Sequence, residues 1–290
     1  MKRYYEFAGV EIEVITPDTD KEINERMLGA FAVESVNNPY RFEFELVDEM
    51  KAPEGTPVGV FPNYRIYGNV NRWIRYIGSV QKSWEDAHAR VVQKNKSYQV
   101  QLKRDIYRDH FGIKTVLNTI AAEQLILNAG GFILHASFIK WNGKAILFSA
   151  PSETGKSTQA ELWKSLRGAQ IINGDRAVVR EINGKWFACG LPFAGSSTYC
   201  ENETLPLEAI VYLGQAKETK IQKWKGLMAF RNLWEQIIVP LWDKEAVEQI
   251  SGKLERVVSE IPIYYLECTP DESAVIALET VIRKDEANGR

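Results

Sequence analysis

Ser149-Ala150-Pro151-Ser152-Glu153-Thr154-Gly155-Lys156-Ser157-Thr158 lies between an apolar run, residues 145–148, and a helical pattern over residues 159–167. Its last four residues match the G-K-[ST] ending of a Walker A loop. In that motif backbone N–H groups wrap phosphate oxygens, a lysine reaches the β- and γ-phosphates, and a hydroxyl holds Mg²⁺. Ser152, Glu153, Thr154, Gly155, Lys156, Ser157 and Thr158 are therefore the candidate nucleotide-binding residues, Gly155 allowing the close backbone approach. A β-rich run enters the loop, and a helix that begins after Lys156 turns its positive N-terminal end towards the phosphates. Leu162, Trp163 and Leu166 give that helix an apolar stripe, and Gly168 sits where a left-handed stop is expected. The loop departs from the motif at Ala150, where the first glycine is usual, and at Pro151 and Glu153. A carboxylate at Glu153 repels phosphate, and a non-glycine residue with positive φ is strained. An ordinary strand-turn-helix with a chance G-K-S-T is the competing reading.

The rest of the chain limits what such a loop serves. With 290 residues, 45% of them hydrophobic, the chain buries a sizeable core in one large domain or two smaller ones. Its 36 lysines and arginines against 38 aspartates and glutamates leave a net charge of −2. That balance gives no general attraction for nucleic acid or an anionic membrane, so an anion site has to be local. Cys189, Cys200 and Cys268 are too few and too irregularly spaced for a disulfide framework or a zinc site, and are expected to stay reduced. Met1-Lys2-Arg3 is followed by alternating residues rather than an apolar signal core, and no run approaches membrane-spanning length, so a cytoplasmic protein is expected.

Before the loop, residues 4–15 alternate with period two around Gly9, and residues 21–31 read as a short helix. Residues 41–47, 65–67, 73–77 and 97–102 are rich in aromatic and β-branched residues, with prolines and Gly78 between them. Arg72, Trp73, Arg75 and Tyr76 form a basic-aromatic cluster, read as strand packing ahead of nucleobase stacking. Residues 112–128 carry helical apolar spacing up to Gly130-Gly131. Two strands, 132–140 and 144–148, then flank Asn142-Gly143, a two-residue hairpin signal. An antiparallel neighbour therefore precedes the loop, unlike the parallel βαβ entry of the common P-loop and Rossmann folds.

After the loop, residues 169–173 form the next expected strand, leading through Gly174 to Asp175, and Asn183-Gly184 marks a second hairpin. Residues 207–213 and 263–266 read as strands, 217–225 as an exposed charged segment, and 227–238 and 244–259 as helices. Thr269-Pro270-Asp271-Glu272 reads as an N-cap, a first-turn proline and a capping-box glutamate for a helix through Ile282. Residues 1–111 thus form a β-rich N-terminal region and residues 112–290 the domain that carries the loop.

Leu134-His135-Ala136-Ser137, the Asn142-Gly143 hairpin, the loop itself and Ile171-Ile172-Asn173-Gly174-Asp175-Arg176 together resemble the HPr kinase/phosphorylase and ATP-dependent phosphoenolpyruvate carboxykinase superfamily, over residues 130–215. The resemblance implies an α/β fold, a P-loop kinase core with a mixed β-sheet of the HPr kinase type. It implies Asp175 near the metal and the acceptor hydroxyl, and His135 as a γ-phosphate or proton-transfer group, where the residues alone also read His135 as a satisfied strand histidine. The family often pairs two aspartates where this chain has Gly174-Asp175, and tends to carry an acidic residue where this chain has Pro151. Leu191-Pro192-Phe193-Ala194-Gly195-Ser196-Ser197 resembles a substrate-side loop, and Arg231 is either a phosphate contact or a solvated helix residue. Independently of the family, phosphoryl transfer needs Mg²⁺, charge neutralisation and a group that accepts a hydroxyl proton. Lys156, Ser157 and Asp175 can supply these, although the residues alone also read Asp175 as a turn residue. The expected function is ATP- and Mg²⁺-dependent phosphate transfer to a serine-like hydroxyl of a peptide, small protein or metabolite. Lys156, His135 and Asp175 are the expected catalytic residues, and Ser157 and Asp175 the expected metal ligands. The alternative is a nucleotide-binding regulatory or peptide-handling protein that has lost catalysis.

Overall fold

The computed structural model describes residues 1–17, 28–105, 119–195 and 197–288. Seventeen strands and five α-helices lie among them, so the protein is mixed α/β. The chain divides into two compact units, residues 1–125 with 240–247 and residues 126–239 with 248–290. The expected boundary after residue 111 lies outside the described residues, as do residues 21–27 and 112–118 of two expected helices.

In the first unit β1 (Lys2–Phe7), β2 (Val10–Ile15), β3 (Ala32–Val33), β4 (Tyr40–Val47), β5 (Gly59–Val60), β6 (Tyr64–Asn69), β7 (Arg72–Gly78), β8 (Ala87–Lys94) and β9 (Ser97–Lys103) form one sheet. Its order is β3-β1-β2-β4-β9-β8-β7-β6-β5. It is mixed, because β4 runs parallel to both β2 and β9. The period-two pattern has the expected consequence: Phe42, Phe44, Tyr98, Val100 and Leu102 are buried while their neighbours face outward. Strand β8 has no comparable signal in the sequence. Its buried positions are Ala87, Ala89, Val91 and Gln93, of which only Val91 meets the β-branched and aromatic criterion. Trp73, Arg75 and Tyr76 are buried, and Arg75 pairs with Glu123 and lies over the Tyr64 ring at 4.5 Å. The basic-aromatic cluster is therefore packing, with only Arg72 exposed.

In the second unit β10 (Gly131–Trp141), β11 (Lys144–Ser149), β12 (Gln170–Asn173), β13 (Arg176–Ile182), β14 (Lys185–Cys189), β15 (Thr204–Gln215), β16 (Lys220–Trp224) and β17 (Ile263–Cys268) form a second mixed sheet. Two long strands organise it. The first half of β10 pairs with β13 and its second half with β11, while β15 meets β14 early and β11 and β17 later. The pairings β10-β13-β14-β15-β11 thus close on β10 as a ring. Both hairpin signals are realised, with Asn142 and Gly143 at φ 49° and 75° and Asn183 and Gly184 at 50° and 76°. Strand β11 has an antiparallel neighbour, β10, on one side and a parallel one, β15, on the other.

Five helices accompany the strands: α1 (Ala122–Asn128), α2 (Lys156–Arg167), α3 (Gly226–Trp234), α4 (Lys244–Glu260) and α5 (Glu272–Ala287). Helices α2 and α5 pack on the sheet, where Trp163 meets Trp141 edge to face at 5.0 Å and Phe148 beneath it. Removing the fully buried Trp163 ring would cost about 3–5 kcal/mol. Several local readings change. The buried residues of α2 are Lys156, Gln159, Ala160 and Trp163, whereas Leu166 is exposed. The segment expected to be merely charged contains edge strand β16, whose lysines alternate imperfectly with half-buried Ile221 and Trp224. The helix expected over residues 227–238 stops at Trp234, because residues 236–238 instead lie against β10, His135 donating its N–H to Gln236 O at 2.8 Å. The last helix is capped by Asp271, which accepts from Ser273 N at 2.8 Å, and Thr269 donates to Asp271 rather than capping the helix itself.

Candidate functional site

Strand β10 is the organiser. One edge of it pairs first with β13, up to His135↔Arg176, and then with β12, from Phe138↔Asn173 onward. The turn between β12 and β13 carries Gly174 and Asp175, so it sits opposite Ala136 and Ser137. Ala136 donates its N–H to Asp175 O at 3.0 Å, and Ser137 Oγ donates to Gly174 O at 2.9 Å. On the other edge Ala136 pairs with Ser149, the residue that opens the loop, and Ser149 Oγ donates to His135 O at 2.9 Å. Residues 135, 149 and 175, distant in sequence, are thus neighbours across three strands.

The loop runs from Ser149 into α2. Gly155 caps the helix at φ 111° and ψ 16°, and a Cβ built there meets nothing within 4 Å, so the glycine answers to backbone conformation rather than to crowding. Glu153 takes φ 64°, the left-handed conformation in a non-glycine residue. The first helical hydrogen bond is Gln159 N to Gly155 O at 2.9 Å, and the N–H groups of the opening turn have no intrahelical acceptor. Lys156 lies buried beneath this turn and donates to Ala150 O at 2.9 Å and Pro151 O at 3.0 Å. Burial pushes its pKa down, partly opposed by the charge of Asp175.

Asp175 is held between two bases. His135 Nε2 lies 3.3 Å from its Oδ1 and Arg176 Nε 3.1 Å from its Oδ2. The hydrogen bond from His135, with the neighbouring Arg176 charge, holds the carboxyl below the usual carboxylate range against the opposing effect of burial. It is therefore an anion throughout the neutral range. Arg176 in turn lies over the Phe193 ring at 4.3 Å.

These groups open on a cleft of about 590 Å³ within the second unit. His135, Ser152, Glu153, Lys156, Ser157 and Asp175 all line it. Thr154, Gly155 and Thr158 do not. The opposite wall includes Ala194, Ser197 and Tyr199, and Lys164 Nζ donates to Tyr199 Oη at 2.7 Å. Of the loop expected on the substrate side, Ser196 lies outside the described residues, and Gly195, at φ 56°, abuts Asp175. Arg231 is exposed on α3, 3.9 Å from Glu235. Among the described residues no three His, Cys, Asp or Glu side chains form a metal cluster. A hard divalent cation fits here only in the manner of Mg²⁺ with a phosphate ligand, using one hydroxyl and one carboxylate from the protein. An ammonium, a helix N-terminus, a hydroxyl and a carboxylate around one cleft suit a polyanion carrying such an ion.

The sequence gives no individual role to Asn173 or Ser137 and places Gly195 only within the expected substrate-side stretch, yet each touches the Asp175 turn. The Asn-Gly-Asp run was a usable signal for Asn173, since an asparagine two residues before a backbone N–H forms an Asx turn. None of the three cysteines is in a disulfide, and no helix among the described residues is long and apolar enough to cross a membrane.

No protein-family model matches the chain, and no curated protein matches it. Among solved structures it is similar to the HPr(Ser) kinase/phosphatase from Coxiella burnetii, at 12% identity and a TM-score of 0.34, over 54% of this chain and 91% of that one.

Proposed function

We propose that the protein is an ATP- and Mg²⁺-dependent phosphotransferase that moves the γ-phosphate to a hydroxyl group. The observation that carries this reading is the meeting of Lys156, Ser157 and Asp175 on one cleft at the N-terminus of α2. Bound Mg²⁺·ATP would supply the phosphoryl group and the metal's charge neutralisation. The first-turn N–H groups of α2 and the Lys156 ammonium bind and orient the phosphates. Ser157 and Asp175 are the residues that would hold the metal. Asp175 also has the charge state needed to accept a hydrogen bond from an incoming hydroxyl. Its depressed pKa makes it a weak base, which favours orientation of the hydroxyl over full proton abstraction before transfer. His135 fixes one carboxylate oxygen and leaves the other towards Arg176. The acceptor class, on this reading, is an alcohol of a peptide, a small protein or a metabolite.

One observation favours a second reading, a nucleotide binder without transfer activity: the exposed Glu153 carboxylate stands in the loop at φ 64°. Both readings are tested by measuring Mg²⁺·ATP binding by calorimetry, together with release of γ-phosphate in the presence and absence of hydroxyl acceptors. Binding with turnover supports transfer, binding with no turnover supports the second reading, and no binding defeats both.

A further inference from the structure

Asn173 is fully buried, and every hydrogen-bonding position of its carboxamide is used. Nδ2 donates to Leu191 O at 3.0 Å and Phe193 O at 2.8 Å. Oδ1 accepts from Asp175 N at 3.0 Å and from Arg176 N at 2.9 Å. One side chain therefore joins two loops: the turn that presents Asp175, and the stretch 191–195, of which Ala194 lines the cleft. The two are also in steric contact. A Cβ built on Gly195 would lie 2.8 Å from Asp175 Cγ and 2.9 Å from its Oδ2, and one on Gly174 would collide with Ser197 Oγ. Only glycine at these two positions lets the two loops approach this closely. Glu201 N donates to Ile172 O at 2.9 Å, and Asn173 and Cys200 form a β-bridge, so the far end of the same loop is also tied to β12.

We propose that Asn173 is a positioning residue that sets Asp175 against His135 by clamping stretch 191–195 to the β12-β13 turn. The inference rests on the phosphotransfer reading only for its catalytic consequence; the clamp itself is a matter of geometry. No other natural side chain of this size does the same. Aspartate keeps the two acceptor contacts but turns a carboxylate oxygen on the Leu191 and Phe193 carbonyls, and leucine fills the volume with none of the four bonds. In a buried position each unmet group then has to find water or shift the loop. Because Gly195 is in contact with the carboxylate, a shift of the loop is transmitted to Asp175.

The test uses the full chain, ¹⁵N-labelled at its three histidines, His88, His110 and His135. The His135 ring signals are assigned by comparison with Asp175→Asn. In Asn173→Ala and Asn173→Asp they should move in the direction that Asp175→Asn moves them, while the His88 signals stay in place. In the same variants γ-phosphate transfer should fall by about 10²-fold through kcat, with KM for Mg²⁺·ATP nearly unchanged, as expected for a reacting group displaced on the order of an ångström. Wild-type His135 signals in a folded Asn173→Ala protein would overturn the proposal. If neither Asn173 variant folds, Gly195→Ala takes their place: its Cβ must displace the Asp175 carboxylate, so unchanged His135 signals would overturn the proposal equally. Should the wild type fail to bind Mg²⁺·ATP, the phosphotransfer reading falls while the histidine signals still decide the clamp.

Discussion

Lys156→Ala is the sharpest perturbation of the proposed phosphate site. Lys156 is buried as a residue but lines the cleft, and two acceptors of its ammonium are loop carbonyls, Ala150 O at 2.9 Å and Pro151 O at 3.0 Å. The side chain is therefore stored against the loop, within reach of anything that enters the cleft. A hydrogen bond to a charged group is worth about 1.5–3 kcal/mol. Exchanging the carbonyls for phosphate oxygens retains that interaction and adds full charge pairing, so losing the lysine should weaken Mg²⁺·ATP binding by about 10- to 150-fold. Part of the wild-type affinity is offset by the two carbonyl contacts given up on binding, which places the expectation in the lower half of that range. The measurement is a calorimetric titration of Mg²⁺·ATP into wild type and variant at equal ionic strength, with thermal unfolding run alongside. A folded variant whose Kd stays within about twofold of wild type would refute the assignment of this loop to phosphate, since no smaller change corresponds to a charge-assisted bond.

Further expectations concern the remaining site groups. Ser157→Ala should raise the Mg²⁺ concentration for half-maximal turnover by about tenfold, the equivalent of one lost ligand contact, and an unchanged Mg²⁺ dependence would reassign Ser157. Asp175→Asn should lower transfer by about 10²- to 10⁴-fold with ATP affinity largely retained; a variant with near-native transfer would return Asp175 to a turn residue. Because His135 and Arg176 hold the Asp175 carboxyl below its unfolded value, its stabilising contribution is complete above that value and is lost as pH falls through the folded one. Acid unfolding followed by circular dichroism should accordingly show a shallower loss of stability in Asp175→Asn than in wild type, and superimposable curves would contradict the pairing. The Cys200 thiol is buried and its pKa pushed up to about 12 by burial, so iodoacetamide at pH 8 should label it only after unfolding. Native-state labelling of Cys200 by mass spectrometry would show that burial to be wrong.

Local signals in the sequence carried the elements well where chemistry forces conformation. Asn142-Gly143 and Asn183-Gly184 each give two consecutive positive φ values, and Gly168 stops α2 at φ 65°. Strand β8 and edge strand β16 were not legible, since their burial depends on neighbours that the sequence does not order. The same limit explains the functional site. The residues of the loop are consecutive and could be read as a motif, but the partnership of His135 with Asp175 depends on β10 changing partners along one edge, from β13 to β12, at residues 135–138. No periodicity encodes such a change, because β10 is mostly apolar and buried both before and after it. What does encode it is polar and local. Ser137 and Asn173 are buried polar residues in strands that bury no other polar side chain; Ser137 bonds the turn between β12 and β13, and Asn173 bonds both that turn and stretch 191–193. Burying such groups is unfavourable unless every bond is made. A serine and an asparagine inside two apolar strands therefore mark the place where the backbone leaves the sheet, and in this chain that place is the turn that presents Asp175.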